Sequence, residues 1–243
     1  MKRISAIISA AVIVFFSSCN SNGKETEATT TDTTATTAAA DTSSPVMTPP
    51  AFTPFKIFMV RHQVKNFAKW EAGYMANDSL RQVYGISHFV IGRGLDDSNM
   101  VYVIDKMTDE SKAKEFAKLP NLKEAMQKAG VVGVPTFSYS NVIRSDDSPI
   151  DQKDRIMVAH KVKDFDAWLK VYDAEGKETR AANGMVDRGL ARDMDDSNMV
   201  YIVFAVTDMA KAKARSTSPE LKKLMTEAGV IGQPKIYFYK LVD

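Results

Sequence analysis

A long internal duplication constrains the fold of this chain more than any other feature of its sequence. The stretch Asp-Asp-Ser-Asn-Met-Val-Tyr occurs at residues 96–102 and again at residues 195–201. Residues 85–139 match residues 184–238 at 23 of 55 aligned positions, which chance does not give. The spacing is longer than any solenoid repeat, so each copy is expected to be a small domain rather than one unit of an array.

The offset between the copies changes once along the chain. Downstream it is 99 residues, whereas His62 and His160 lie 98 residues apart. One residue was therefore gained between positions 173 and 180, or lost from the first copy.

The pattern of each copy reads β-α-β-β-α-β. Strand-length apolar runs at residues 55–60 and 155–159 are each closed by a histidine. Asn66 and Asp164 are typical N-cap residues, and each is predicted to open one continuous first helix.

Glycine and proline mark where the later elements begin and end. Gly85 and Gly184 are predicted to end the first helices. One proline in each copy begins a new turn inside the second helix. A later one, Pro135 or Pro234, is predicted to precede the fourth strand.

This element order predicts an α+β fold. It consists of two tandem ferredoxin-like domains at residues 54–144 and 154–243, joined by a linker at residues 145–153. Helices cover only one face of each sheet, and a domain of about 90 residues buries a modest share of its surface alone. We therefore expect the two domains to pack sheet to sheet as an intramolecular dimeric α/β barrel.

The residues before the duplication read as a targeting segment followed by a tether. Residues 1–18 have a basic start and an apolar run too short to span a bilayer, which takes about 20 residues, so they predict a secretory signal. Residues 19–53 are rich in Thr, Ser and Ala and are expected to be disordered. Cys19, the only cysteine, stands at the junction.

This junction resembles that of bacterial lipoproteins. The resemblance implies that Cys19 becomes the mature N-terminus and carries acyl chains such as palmitate. Several chains anchor a protein stably, because each buried methylene contributes about 0.8 kcal/mol. The expected location is the bacterial cell envelope, on the outer-membrane or periplasmic side, with the membrane as a partner.

Three motifs in the duplicated part resemble those of a known superfamily. They are His-x-Val-x-(Asn/Asp)-Phe-x-x-Trp, the Asp-Asp-Ser-Asn stretch, and Pro-x-Leu-Lys followed by Ala-Gly-Val-x-Gly-x-Pro. The set resembles the dimeric α/β-barrel superfamily, and within it the antibiotic-biosynthesis-monooxygenase-like domains. That superfamily includes cofactor-independent oxygenases and haem-degrading enzymes. The residue order of the haem-degrading branch is not matched, so haem degradation is not implied.

Five pairs of residues recur in both copies and are candidates for a ligand pocket. The histidines are candidate general bases, since an imidazole titrates near neutral pH. The other pairs are candidate ligand contacts: an aromatic wall, two phenols, and an arginine that implies an anionic ligand if it faces a pocket. Each pair also has a purely structural interpretation: a core residue, a side chain hydrogen-bonded to a neighbour or, for the arginines, a charge that is solvated or paired with a carboxylate. The pairs are His62/His160, Trp70/Trp168, Tyr74/Tyr172, Tyr102/Tyr201 and Arg81/Arg180.

Several other kinds of site find little support. Asp96 and Asp97 are followed by no ladder of oxygen ligands, so a hairpin turn is favoured over a metal site. No nucleotide-binding loop is present. The net charge is +2 with acids and bases interspersed, which disfavours nucleic acid. We therefore expect no metal and no cofactor.

The function that the sequence favours is binding of a small apolar or aromatic molecule in a pocket of each domain. One alternative is a cofactor-independent monooxygenase-like enzyme with His62 or His160 as base. Another is a non-enzymatic structural or interaction module. The sequence leaves open whether the protein is an enzyme.

Overall fold

The computed structural model describes residues 52–242. The predicted signal segment, Cys19 and almost all of the predicted tether lie outside the described residues. The described residues belong to one compact unit. The α+β class is confirmed, with eight antiparallel strands and eight helices in the described part.

The two copies repeat the same order of elements. The first copy contains β1 (Phe55–Val64), α1 (Phe67–Ala76), α2 (Asp78–Val83), β2 (Ile86–Gly94), β3 (Met100–Met107), α3 (Glu110–Phe116), α4 (Pro120–Ala129) and β4 (Val131–Ser145). The second contains β5 (Asp154–Val162), α5 (Phe165–Glu175), α6 (Lys177–Ala182), β6 (Met185–Asp193), β7 (Met199–Val206), α7 (Met209–Ser216), α8 (Pro219–Glu227) and β8 (Val230–Leu241).

The eight strands form one sheet in the order β1-β3-β2-β8-β5-β7-β6-β4, and β4 also pairs with β1, so the sheet closes. Two ladders join the copies. β2 pairs with β8 through residues 92–94 only, whereas β4 pairs with β6 along residues 140–145 with a register shift. The closed sheet is therefore irregular, because the strand ladders inside each copy are long and the two ladders between the copies are short.

Side chains from alternate strand positions separate into two layers. Phe58, Val101 and Val103 face the helices of the first copy, and Ile156, Val200 and Ile202 do so in the second. The opposite face carries a third cluster, built around Tyr102, Met157 and Tyr239, inside the closed sheet. Each copy thus has its own helix-sheet core, and the inner layer is shared.

Local chemistry accounts for the helix boundaries. The side-chain oxygen of Asn66 accepts a hydrogen bond from the Lys69 amide (2.9 Å), and Asp164 does the same for Ala167 (2.7 Å). Pro120 begins α4 as its first residue, as the sequence predicts.

The first helix of each copy is not continuous as predicted. It breaks at Asn77 between α1 and α2, and at Gly176 between α5 and α6. Gly176 has φ +80°, a conformation that a helix does not contain. The sequence offers no proline to signal the first break.

The fourth strands differ more from expectation. Pro135 and Pro234 were predicted to precede them, yet both lie inside β4 and β8. Along β1 the partner of Arg61 is Thr136 while that of Gln63 is Val132, so three residues of β4 bulge opposite His62. A bulge leaves backbone groups unpaired, and proline, which has no N–H, fits there. The same bulge in β8 lies opposite His160.

In the described part of the chain, no helix is both long enough and apolar enough to cross a membrane.

Candidate functional site

Each copy has a cavity between its helices and the outer face of its sheet. The first is lined by His62, Trp70, Tyr74 and Arg81 among others. The second is lined by the equivalent His160, Trp168, Tyr172 and Arg180. Four of the five predicted pairs are therefore brought together, twice, in the same arrangement.

The fifth pair lies elsewhere. Tyr102 is buried in the inner layer, where its ring stacks on that of Tyr239 with centroids 5.1 Å apart. Tyr201 is on the same inner face, and its hydroxyl donates to Asp193 (3.1 Å). Both phenols lie inside the closed sheet, so they do not contribute to the helix-sheet cavities with the other four pairs.

The histidines lie within strands β1 and β5 rather than closing them as predicted. Each is almost completely buried, and neither ring nitrogen of His62 or of His160 has a hydrogen-bond partner among the described residues. Burial lowers the pKa of both imidazoles from 6.5 to about 4, so both are neutral at pH 7.

Aromatic rings continue from each histidine along the first helix. The His160 ring lies 5.4 Å from that of Trp168, which stacks on Tyr172 at 5.2 Å. The Arg180 guanidinium carbon then lies 4.0 Å above the Tyr172 ring. In the first copy Trp70 stacks on Tyr74 at 5.4 Å. The i, i+4 spacing of Trp and Tyr on one helix places these rings face to face.

In the first copy this stack ends on a buried carboxyl group. The Tyr74 hydroxyl donates to Asp105 (2.6 Å) and contacts Nδ1 of His88 (3.0 Å). Burial raises the pKa of Asp105 from 3.8 to about 6, although Tyr74, Arg81 and His88 oppose the shift. Arg81 itself pairs with Asp78 at 3.0 Å. The arginine is buried and paired with a carboxylate, so of its two structural interpretations the ion pair agrees with the structure and the solvated charge does not.

The second copy ends the stack with a larger ionic network. Arg180 donates to both carboxylate oxygens of Asp187, from Nε (2.7 Å) and Nη2 (2.6 Å). Glu175 lies 3.4 Å from Arg180 and 2.7 Å from Arg215. Burial and the neighbouring Asp187 raise the pKa of the Tyr172 phenol. Two arginines and two carboxylates thus compensate each other at one end of the cavity.

The cavities differ greatly in size. The volume is about 490 Å³ in the second copy and about 60 Å³ in the first. In the first copy Gly73 lies against α4, where a Cβ atom would come 3.1 Å from that of Ala129. Phe116 fills the same space, with its ring 6.1 Å from that of Phe58.

Two substitutions and one inserted residue account for the larger cavity of the second copy. Val171 occupies the position of Gly73, and a side chain there prevents the same close approach of the last helix. Arg215 replaces Phe116 and turns to Glu175. The third change is the single-residue difference between the copies. Helix α5 has 11 residues where α1 has 10, and α2 and α6 both have 6, so the extra residue belongs to the end of α5, where Glu175 lies.

Sequence reasoning missed the residues that distinguish the two copies. The aligned positions show the signal, since Arg215 replaces an apolar residue and Asp187 replaces His88. Residues that recur in both copies indicate only what the copies share, so recurrence does not point to Arg215 or Asp187.

The repeated Asp-Asp-Ser-Asn stretch is a hairpin turn. The Asp97 carboxylate accepts from the Asn99 amide (2.9 Å), and the Asp97 carbonyl accepts from Met100 (2.9 Å). Arg93 closes the turn by donating to the Ser98 carbonyl oxygen (2.8 Å). The short polar residues of this turn occur in both copies because they form hydrogen bonds with nearby backbone groups.

Comparison with solved structures supports the fold. The chain is similar to a candidate monooxygenase from Fusobacterium nucleatum (TM-score 0.50, 12% identity, covering 78% of this chain and 93% of that one). It is equally similar to an anthrone oxidase-like protein (TM-score 0.51, 12% identity, 78% and 92% covered).

A third similar structure is a ferredoxin-fold protein related to antibiotic biosynthesis monooxygenases from Listeria monocytogenes (TM-score 0.47, 12% identity, 79% and 97% covered). No protein-family model and no curated protein matches the chain. At 12% identity, the first two similarities bear on the fold alone.

Proposed function

We propose that the second copy binds a small, largely apolar or aromatic molecule that carries one hydrogen-bonding group. The single observation that carries this proposal is His160, a buried imidazole with no partner among the described residues, facing a cavity of about 490 Å³. Cavities of roughly 300–1,000 Å³ are typical of small-molecule sites, which are apolar with few polar groups.

The energetics favour a ligand at this place. A buried polar group left without a hydrogen bond costs about 1–3 kcal/mol, which a ligand hydroxyl or carbonyl at His160 would recover. A neutral imidazole can donate one hydrogen bond and accept another, so a phenol or a ketone both fit. Ile156, Val158 and Ile202 supply the apolar wall for the rest of the ligand.

The proposal concerns the second copy. The first cavity, at about 60 Å³, has room for about two water molecules. The sequence predicted one ligand in each copy, and for these two cavities we propose one ligand, in the second copy.

The two tryptophans allow a direct test. The chain has only Trp70 and Trp168, one beside each cavity. With 2-naphthol as the probe, the Trp70→Phe variant should retain saturable quenching of the remaining Trp168 fluorescence. The matched Trp168→Phe variant, which reports from Trp70, should show none.

His160→Leu in the Trp70→Phe background should weaken the naphthol affinity by about tenfold, since one hydrogen bond contributes about 1 kcal/mol or slightly more. Equal quenching of both tryptophans, or no effect of His160→Leu, would contradict the proposal.

A second candidate function is a cofactor-independent oxygenase, favoured by the same unpartnered histidine in a largely apolar cavity. His160 would accept a proton from an acidic CH₂ group of the substrate. The carbanion would then react with O₂ to give a carbonyl group and one water, with the substrate supplying all the electrons. A pKa of about 4 makes His160 a weak base, so binding ranks first. Oxygen uptake with anthrone that is abolished in His160→Leu would favour the enzyme.

We also propose two broader features of the molecule. The closed sheet is best described as two tandem ferredoxin-like units packed sheet to sheet, and Cys19 is proposed to anchor the protein in the bacterial envelope. Lipidation predicts that the protein partitions into the detergent phase of a Triton X-114 extract. A Cys19→Ser variant should move to the aqueous phase, and identical partitioning would contradict the anchor.

A further inference from the structure

A separate cavity lies inside the closed sheet, on the face opposite to the helices. Its volume is about 220 Å³, and strands of both copies line it. Most of the lining is apolar or aromatic, including Met59, Met157 and Leu241. It is distinct from the helix-sheet cavity, because strand alternation places His160 on one face of β5 and Arg155 on the other.

Arg155 is a positive charge without a counter-ion in this layer. It is 93% buried, as its exposed fraction is 7%. Its Nη1 donates to the carbonyl oxygens of Gln152 (2.5 Å) and Asp154 (3.0 Å). Its Nε and Nη2 donate to no described residue, and no carboxylate among the described residues lies within 4.0 Å.

The charges around it do not change this conclusion. Arg188 also lines the cavity, but it lies 3.8 Å from Asp146 and donates to the Ser148 carbonyl oxygen (2.8 Å). Asp147, at the exposed edge, accepts a hydrogen bond from Ser145 (2.8 Å). Arg155 is thus a buried cation in the cavity wall with no carboxylate of a described residue within 4.0 Å, and burying a charge without a close partner is costly.

Tyr239 supplies a second free donor beside it. Arg155 and Tyr239 are paired residues of β5 and β8. The Tyr239 side chain is almost fully buried and lines the cavity, yet its hydroxyl makes no hydrogen bond to a described residue. Burial raises the pKa of this phenol, so at neutral pH it is a donor.

The first copy has nothing equivalent. The positions that correspond to Arg155 and Tyr239 are Ile57 and Ser140. The two donors therefore occur once in the molecule and are not required by the fold.

We propose that the inner cavity binds a small monoanion with an apolar body, of the aromatic monocarboxylate class. The guanidinium of Arg155 and the hydroxyl of Tyr239 hold the carboxylate, and the apolar lining holds the ring. A guanidinium without a close carboxylate partner can hold one carboxylate of a ligand. The volume lies below the roughly 300–1,000 Å³ of drug-sized sites, which limits the ligand to about the size of benzoate.

Calorimetric titration of the full chain with benzoate tests this site, with benzamide as the uncharged ligand of the same shape. Benzoate should bind at least about tenfold more tightly than benzamide. Arg155→Met should weaken benzoate binding by about tenfold or more, because hydrogen bonds to charged groups are the stronger ones. Tyr239→Phe should weaken it by about three- to tenfold.

Controls separate this site from the helix-sheet cavity. Arg215→Met should leave benzoate affinity unchanged, because Arg215 is paired with Glu175 outside the inner cavity. Arg155→Met should also raise the melting temperature without ligand, since it removes the unpaired charge, so loss of binding cannot be attributed to unfolding. Absence of benzoate binding, equal binding of benzamide, or loss of binding in Arg215→Met but not in Arg155→Met would overturn the proposal.

Discussion

At the scale of single residues, the two buried histidines and Asp105 make opposite contributions to stability as the pH changes. The imidazoles bind a proton less readily in the folded protein than in the unfolded chain, with pKa about 4 against 6.5. Asp105 binds one more readily, with pKa about 6 against 3.8. The folded state is therefore favoured by neutral histidines at neutral pH and by protonated Asp105 at lower pH.

This balance predicts that the protein is less stable at pH 5 than at pH 7. Each histidine contributes stability that is complete above pH 6.5 and is lost as the pH falls toward 4. The loss is on the order of 3 kcal/mol for each imidazole. Asp105 offsets part of this loss as the pH falls through 6. The midpoint of urea unfolding, measured at both pH values, should fall.

Two variants resolve the opposing contributions. In the His62→Leu/His160→Leu variant the midpoint should rise from pH 7 to pH 5, because Asp105 then acts alone. In a protein that keeps both histidines, Asp105→Asn should make the urea midpoint fall more between pH 7 and pH 5. A midpoint that falls equally in the double histidine variant would show that other groups control acid stability.

The residue types predicted which of these side chains cluster, but they did not predict how buried each side chain is or which groups it contacts. The recurrence of His, Trp, Tyr and Arg in the same order in both copies was enough to predict that they line common pockets. It was not enough to expect that Arg81 and Arg180 are buried, since that depends on Asp78 and Asp187 approaching from another turn or strand. A bulge such as that opposite His62 likewise depends on strand register, which one sequence does not specify.

At the scale of elements, one helix contact is a main cause of the difference in cavity size between the copies. Helices α1 and α4 approach closely over Gly73 and Ala129, and the equivalent pair in the second copy is separated by Val171. The order and type of the elements could be predicted from the spacing of apolar residues, the N-cap residues and the glycines at helix ends. The separation of the packed helices could not, because it depends on which small residue meets which neighbour.

Gly73→Val should therefore destabilise the first copy. A Cβ at 3.1 Å from Ala129 is too close, and overpacking of this kind costs about 1–3 kcal/mol. Urea unfolding measures the loss. The Gly73→Val/Ala129→Gly variant should recover a substantial part of it, since the clashing methyl group is removed. Failure of the second substitution to restore stability would mean that the contact does not set the helix spacing.

At the scale of the whole molecule, neither copy is closed without the other. β2 and β4 each find their second neighbour in the opposite copy, and Tyr102, Met157 and Tyr239 form one inner cluster from both. Duplication was evident from the sequence, and so was the need to cover one face of each sheet. The position of Arg155 within that shared layer was not.

Separation of the copies should expose both this layer and two strand edges. Residues 154–243 expressed alone should self-associate, because an uncovered apolar sheet face and free edges favour pairing with another chain. Light scattering should detect dimers or larger species. Mixing with residues 54–144 should yield a one-to-one complex, and a stable monomer of either half would argue against a shared core.

The extra residue at the end of α5 has a consequence for how such a molecule diversifies. In an assembly of two identical subunits, an insertion appears in both halves at once, and any loss of packing is doubled. Fusion of the halves removes that symmetry. Here one half keeps Phe116 and a filled interior, while the other accommodates Glu175 and Arg215 around an open one. One half can then act as a rigid framework, and the other is free to acquire recognition of a guest molecule.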